Sequence, residues 1–288
     1  MKPRHLLGAV VLACCAGTAL AHDTWFEALP GASPQRVLAL GTGTLYPLYD
    51  SGIDAQYLAR QGCRGPQGAW ALRPLRNEAA TLVVQAPAGA ETCWAQLAPF
   101  EIELAADKIE LYLNEVRAGA ELRAAWADMR ARGLRWKERY TKHARIELGG
   151  LGSGGAAPAP MAMDALIESG PPRVGELAQF RVLRDGQPLV DFPLELRSES
   201  SRIGLWRRTD ASGRVQLRLP LAGPWLLRGV DLRLSATRRD EWDSRFLTLA
   251  FQVAPQNGST LTLNALSTSQ TAATAAISSE PPVSTARR

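Results

Sequence analysis

Histidine is nearly absent from this sequence: His5, His22 and His143 are the three in a chain of 288 residues. No His-Glu-x-x-His pair exists, which excludes the usual zinc-hydrolase helix. Gly-x-Ser-x-Gly, a Gly-rich phosphate loop and an Asp-x-Asp calcium loop are missing too, which removes the commonest hydrolase, nucleotide and calcium readings. Cysteine is sparse, and Cys14, Cys15, Cys63 and Cys93 form no Cys-x-x-Cys. A dominant charge is also lacking. The 33 Lys and Arg stand against 28 Asp and Glu, mixed along the chain and nearly all Arg on the basic side. Without a basic stripe there is no footprint for nucleic acid. Beyond the N-terminal region no run of about 18 apolar residues occurs, so no other segment reads as a membrane-spanning helix.

What is there begins at residue 1. Lys2 and Arg4 precede an apolar or small stretch from Leu6 to Leu20, interrupted only by Cys14, Cys15 and Thr18. It ends in Ala19-Leu20-Ala21, a small-x-small cleavage site. This is the tripartite secretory pattern, and its apolar core is too short to cross a bilayer of about 30 Å. Val11-Leu12-Ala13-Cys14 loosely resembles a lipobox, but the apolar core before Cys14 would then be very short. The expectation is a signal peptide over 1–21, a mature chain starting at His22, and a soluble protein in a bacterial periplasm. That mature chain carries a formal +3 instead of +5, since Lys2 and Arg4 leave. It keeps only Cys63 and Cys93, and an even pair in an exported protein reads as one disulfide. A thiolate metal site or redox pair is the weaker alternative.

The pattern along the chain is mainly β. Arg36-Val-Leu-Ala-Leu40 and Ala80-Thr-Leu-Val-Val84 read as strands in an N-terminal β domain over 22–148. Within it, 107–148 reads as a helical insertion of about three short helices. Ile109, Tyr112, Leu113 and Val116 fall at helical spacing, as do Leu122, Trp126 and Met129, and Gly119 and Gly133 punctuate. A flexible linker is expected over 149–173, starting with the Gly/Ala/Ser/Pro stretch to Pro160. From 174 to 254 short alternating segments return. Phe180 and Val182 precede the tight-turn signal Asp185-Gly186, and Leu194 and Leu196 read as the return strand. Asp210-Ala-Ser-Gly213 marks another hairpin, and Leu247, Leu249, Phe251 and Val253 alternate near the end. The expected fold is thus two immunoglobulin-like β-sandwich domains, the first ending in the helical insertion. A Ser/Thr/Ala/Pro tail over 255–288 cannot bury enough surface to order itself. Trp206, Trp225 and Trp242 read as sandwich packing, with a sugar-stacking platform as the functional alternative.

Chemistry concentrates at His22. As the first mature residue it would offer both an α-amine and an imidazole, which close a six-membered chelate on a metal ion. The amine, with a pKa of about 7.7–8.0, gives up its proton readily to a competing metal. Two nitrogens suit Ni²⁺, Cu²⁺ or Zn²⁺, with Cu²⁺ tightest by intrinsic order. Asp23 could add a carboxylate, and His143 an imidazole if the fold brings it near. A terminal histidine is also often incidental, and a lone helical histidine more often packs.

The opening Ala21-His22-Asp23-Thr24-Trp25-Phe26 resembles that of a widespread periplasmic family catalogued as a nickel or cobalt uptake accessory (NikM-like) domain. Leu40-Gly-Thr-Gly43 with Tyr46-Pro47, Glu138-Arg-Tyr-Thr-Lys-His-Ala-Arg145, Arg184-Asp-Gly-Gln-Pro-Leu189, Thr209-Asp-Ala-Ser-Gly-Arg214, Gly223-Pro-Trp225 and Trp242-Asp-Ser244 are similar to further stretches of it. The resemblance runs to about Val253. It implies immunoglobulin-like β domains, a link to transition-metal import, and His22 as a ligand. The leading expectation is a non-enzymatic metal-binding protein for nickel or cobalt, with His22, Asp23 and His143 as the candidate ligands. Its partners would be the metal ion and a membrane metal transporter or outer-membrane receptor. The alternative is an interaction or glycan-binding module of the cell envelope. A copper oxidase is a third reading and needs a second imidazole and a substrate groove.

Overall fold

The computed structural model describes residues 22–31, 36–149 and 157–256. The expected signal peptide, with Cys14, and the expected tail beyond 256 lie outside the described residues. Among those described, the chain starts with β1 (Asp23–Ala28), β2 (Arg36–Gly43), β3 (Ser51–Gly52), β4 (Leu58–Gly65), β5 (Gly68–Trp70), β6 (Arg73–Asn77), β7 (Leu82–Ala86), β8 (Thr92–Leu97) and β9 (Phe100–Leu104). Helices α1 (Ala106–Glu115) and α2 (Ala120–Ala131) follow, then the long strand β10 (Trp136–Glu147). The rest is β11 (Met163–Ile167), β12 (Leu177–Arg184), β13 (Gln187–Pro188), β14 (Pro193–Ser198), β15 (Leu205–Arg208), β16 (Arg214–Arg218), β17 (Gly223–Leu234) and β18 (Trp242–Val253). The protein is mainly β, as its alternation requires.

The strands build three layers. A central sheet runs β15-β14-β17-β18-β10-β8-β4-β5, with β9 also on β10. Alternate side chains of its strands point to opposite faces, and each face has its own core. Leu226 and Ala250 pack with Trp25, Leu38 and Val84 of the sheet β1-β2-β7-β6. Their neighbours Trp225, Leu227, Leu249 and Phe251 pack with Phe180 and Val182 of the sheet formed by β11, β12, β13 and β16. The helices cover the remainder of the first face: Tyr112 and Trp126 meet Trp136, Trp242 and Phe246. Trp136 and Trp242 stack with centroids 4.3 Å apart.

β10 corrects two expectations at once. The stretch expected as the third helix is a strand, so His143 sits on a strand too. Trp136, Glu138, Tyr140, Lys142, Ala144 and Ile146 share one face, a period of two that the dense charge of Glu138–Arg145 conceals. β10 pairs in parallel with β18, from Glu138↔Trp242 to Ile146↔Ala250. The middle and last thirds of the chain therefore share a sheet. The 149–173 span is likewise not a loose linker where it is described, from 157 onward. It contains β11, and residues 157–162 are strapped down by side chains that reach their backbone. Arg64 donates to the Pro158 carbonyl at 3.3 Å, Arg60 to Pro160 at 3.1 Å and Arg245 to Ala162 at 3.1 Å. The Ala162 amide donates to Gln96 Oε1 at 2.9 Å. Gly/Pro composition predicts weak secondary structure, but it leaves carbonyls free to accept from arginine.

Asp185 and Gly186 both adopt positive φ, 49° and 76°, which is what a two-residue hairpin turn needs. The return strand is the short β13, however, and Leu194 and Leu196 lie on β14 in the central sheet. The Asp210–Gly213 turn also forms, with the Gly213 amide donating to the Asp210 carbonyl at 2.9 Å. It is not a hairpin, because β15 pairs with β14 and β16 with β12. In both places the chain turns on cue and then changes layer.

The expected disulfide is present. Cys63 and Cys93 face each other across β4 and β8 at S–S 2.06 Å, inside the first core.

Charge is buried between the layers as well. Arg145, fully buried, donates to Glu147 at 2.7 Å and to Asp164 of β11 at 2.8 Å. Glu138 accepts from Tyr112 Oη and Trp136 Nε1, each at 2.8 Å, and from Ser244 Oγ. Arg228 donates to Asp23 and, at 3.0 Å, to Glu195.

Candidate functional site

His22 lies just before β1. The β1–β2 register pairs Asp23 with Gly43, which sets His22 beside the turn after β2. That turn presents Asp50. Its Oδ2 accepts from the Thr44 amide at 2.6 Å and from Thr44 Oγ1 at 2.8 Å, and the Asp50 amide donates to the Thr42 carbonyl at 2.8 Å. His22 Nε2 stands 3.9 Å from the same Oδ2, with side chains 32% and 48% exposed. The hydrogen bonds from Thr44 hold the Asp50 carboxyl below its usual range. Partial burial, and after it the nearby Lys142 ammonium, lower the His22 imidazole; Asp50, Asp23 and Glu115 act in the opposite sense. At neutral pH the pair is a carboxylate and a neutral imidazole, the protonation states that bind metal.

The other two expected ligands are not gathered here. Asp23 is buried and committed to Arg228, which ties β1 to β17. Its Oδ1 has no hydrogen-bond partner among the described residues. His143 points to the other face of the central sheet from Lys142, its neighbour on β10, and so away from His22. Its Nδ1 donates to the Phe246 carbonyl at 3.0 Å, an assignment forced by a carbonyl that can only accept. Nε2 is buried with no partner among the described residues. Among those residues no group of three or more His, Cys, Asp or Glu is arranged to hold a metal ion. Cys63 and Cys93 are bonded to each other, which leaves no thiolate ligand among the described residues. Nor is Trp206 a bare platform, since the Arg117 guanidinium lies 4.6 Å from its ring centroid.

Asp50 and Lys142 went unnoticed in the sequence. Asp50 is 28 positions from His22 in an ordinary-looking turn, and only the β1–β2 register joins them.

Burial lowers His143 to about 4, against its ordinary 6.5. The folded protein thus resists a proton that the unfolded chain accepts. This part of the stability is complete above pH 6.5 and drains away as pH falls toward 4, by about 3 kcal/mol at roughly 1.36 kcal/mol per unit. Urea denaturation at pH 7 and 4.5 should show the loss. His143→Gln, which can still donate to the Phe246 carbonyl, should flatten that part of the slope; an unchanged slope would refute the assignment.

Comparison with known protein families, with curated proteins and with solved structures finds no match for this chain. Among the described residues no helix is long and apolar enough to cross a membrane.

Proposed function

We propose that the protein is a non-enzymatic metal-binding protein of the cell envelope that takes Ni²⁺ or Co²⁺ at His22 for uptake or delivery, with Cu²⁺ as the competing ion. One observation carries the reading: the His22 imidazole stands within 3.9 Å of a carboxylate that Thr44 fixes in place. Processing after Ala21 would add the α-amine of His22, closing the chelate with its own imidazole. Asp50 replaces Asp23 and His143 as the further ligand. So few protein donors at a half-exposed position suit transfer to a transporter better than storage. The resemblance of the Ala21–Phe26 opening to the nickel and cobalt accessory family points the same way.

Calorimetric titration of protein beginning at His22 tests this. It should bind about one Ni²⁺ per chain, more weakly as pH falls, because protons compete for imidazole and amine. His22→Ala, Asp50→Asn and a one-residue extension before His22 should each weaken binding by about tenfold or more, ~1.4 kcal/mol. His143→Ala should leave it unchanged. Full affinity in the extended protein would remove the terminal chelate from consideration. The second reading, an interaction or glycan-binding module, draws on edge strand β15, beside which Ile203 is 76% exposed.

A further inference from the structure

The first outer sheet does not close completely on the central one. Where the end of β1 and the start of β2 meet the ends of β10 and β18 and the start of β17, a cleft of about 140 Å³ remains open to solvent. Tyr46 and Pro47 of the β2–β3 turn line it, together with Ile146, Pro224 and Ala250 of the central sheet. Tyr46 is held by its edge-on contact with Trp25, centroids 5.7 Å apart. Two exposed carboxylates, Glu27 and Glu199, line the same cleft. Among the described residues neither side chain makes an ion pair or a hydrogen bond. Arg36 is the one cation of the lining among those residues, and its guanidinium donates to the Leu148 carbonyl instead. Glu147 also borders the cleft, but strand alternation turns its side chain to the other face of β10, where Arg145 holds it.

Partial burial, and after it Glu199, raise the Glu27 carboxyl above its ordinary range. Both acids add to burial in raising the Tyr46 hydroxyl. The cleft is thus apolar within and acidic at its mouth. Packing alone gives no reason to set two uncompensated acids beside an open apolar cavity. We propose that the cleft binds a small organic ammonium ion, its apolar body between Tyr46 and the central sheet and its charge between Glu27 and Glu199. Size narrows the class. A cavity of roughly 150 Å³ accepts one benzene ring, so the ligand is a monoamine with a single ring or a short alkyl chain. A sugar would leave hydroxyls against walls that cannot bond them, and an anion would meet both acids. Neither His22 nor Asp50 lines the cleft, so this site stands apart from the metal reading.

The experiment titrates protein beginning at His22 at pH 7 and low salt, without added metal. The ligands are benzylamine, protonated at that pH, and benzyl alcohol, its uncharged counterpart. Benzylamine should bind about tenfold more tightly, the size of two exposed ion pairs made to one charge. The Glu27→Gln, Glu199→Gln double variant should lose the preference and unfold at the parent midpoint or above it. A Glu121→Gln, Glu176→Gln variant, which removes two exposed acids outside the cleft, should keep the preference. Amide resonances of Tyr46, Ile146 and Ala250 should shift on binding. Absence of binding or equal binding of the two ligands overturns the site. So does a preference that survives without Glu27 and Glu199, or one lost equally without Glu121 and Glu176. Nα-acetyl-lysine methylamide presents the same charge on a peptide. Tighter binding of that probe than of benzylamine would overturn the free amine in favour of a partner protein's lysine.

Discussion

Arg145→Met should destabilise the protein by about 3–5 kcal/mol, because it strands Glu147 and Asp164 in the interior without their cation. Both carboxylates are buried, and burial already pushes each above its ordinary pKa, with Arg145 as the main opposing influence. The Arg145–Asp164 pair bridges β10 to β11, so the loss falls where the central sheet meets the second outer layer. Chemical denaturation followed by tryptophan fluorescence measures it. Replacing all three side chains by apolar ones of similar volume should recover most of the loss. A variant within about 0.5 kcal/mol of the parent, the range of an ordinary surface change, would show that Arg145 carries no such load.

Replacing Cys63 and Cys93 together by Ala should cost about 3–4 kcal/mol, the chain-entropy value for a loop of this span. The informative part is where the loss shows. Leu226 and Ala250 line the disulfide's core, while Leu227 and Leu249, their neighbours on β17 and β18, line the other. Unfolding should therefore stay a single transition that moves as a whole. Near- and far-ultraviolet circular dichroism should report the same lowered midpoint. Two separated transitions, with the later one unchanged, would mean that the shared sheet does not couple the cores. In the parent, thiol labelling under denaturing, non-reducing conditions should modify neither cysteine.

Much of the fold is local and so was legible. The alternation Leu247–Val253, the Asp185-Gly186 turn and the helical spacing of Ile109, Tyr112 and Leu113 all reflect short-range geometry. β10 was not legible, because it carries Glu138, Lys142 and Arg145 into the interior. Alternation of polar and apolar residues fails for a strand buried on both faces, and the partners that make such burial tolerable, Ser244 and Asp164 among them, lie far along the chain. The disulfide followed from counting cysteines. The candidate site was half legible. His22 stands out by its place after a cleavage motif, but Asp50 reaches it only through the β1–β2 register, and His143 is turned away by the same two-residue period that the helical reading overlooked.

The parallel pairing of β10 with β18 has a consequence in time. Glu138 and Ser244, hydrogen-bonded in the folded protein, are 106 positions apart. While the chain is being made, β10 can join β8 and β9 early, but its other edge stays open until the last strand has appeared. An open edge is a template for pairing with a neighbouring molecule, and contacts this distant in sequence form slowly. The hazard is greatest in chains truncated before Trp242, which should aggregate through β10 instead of resting as a stable half-protein.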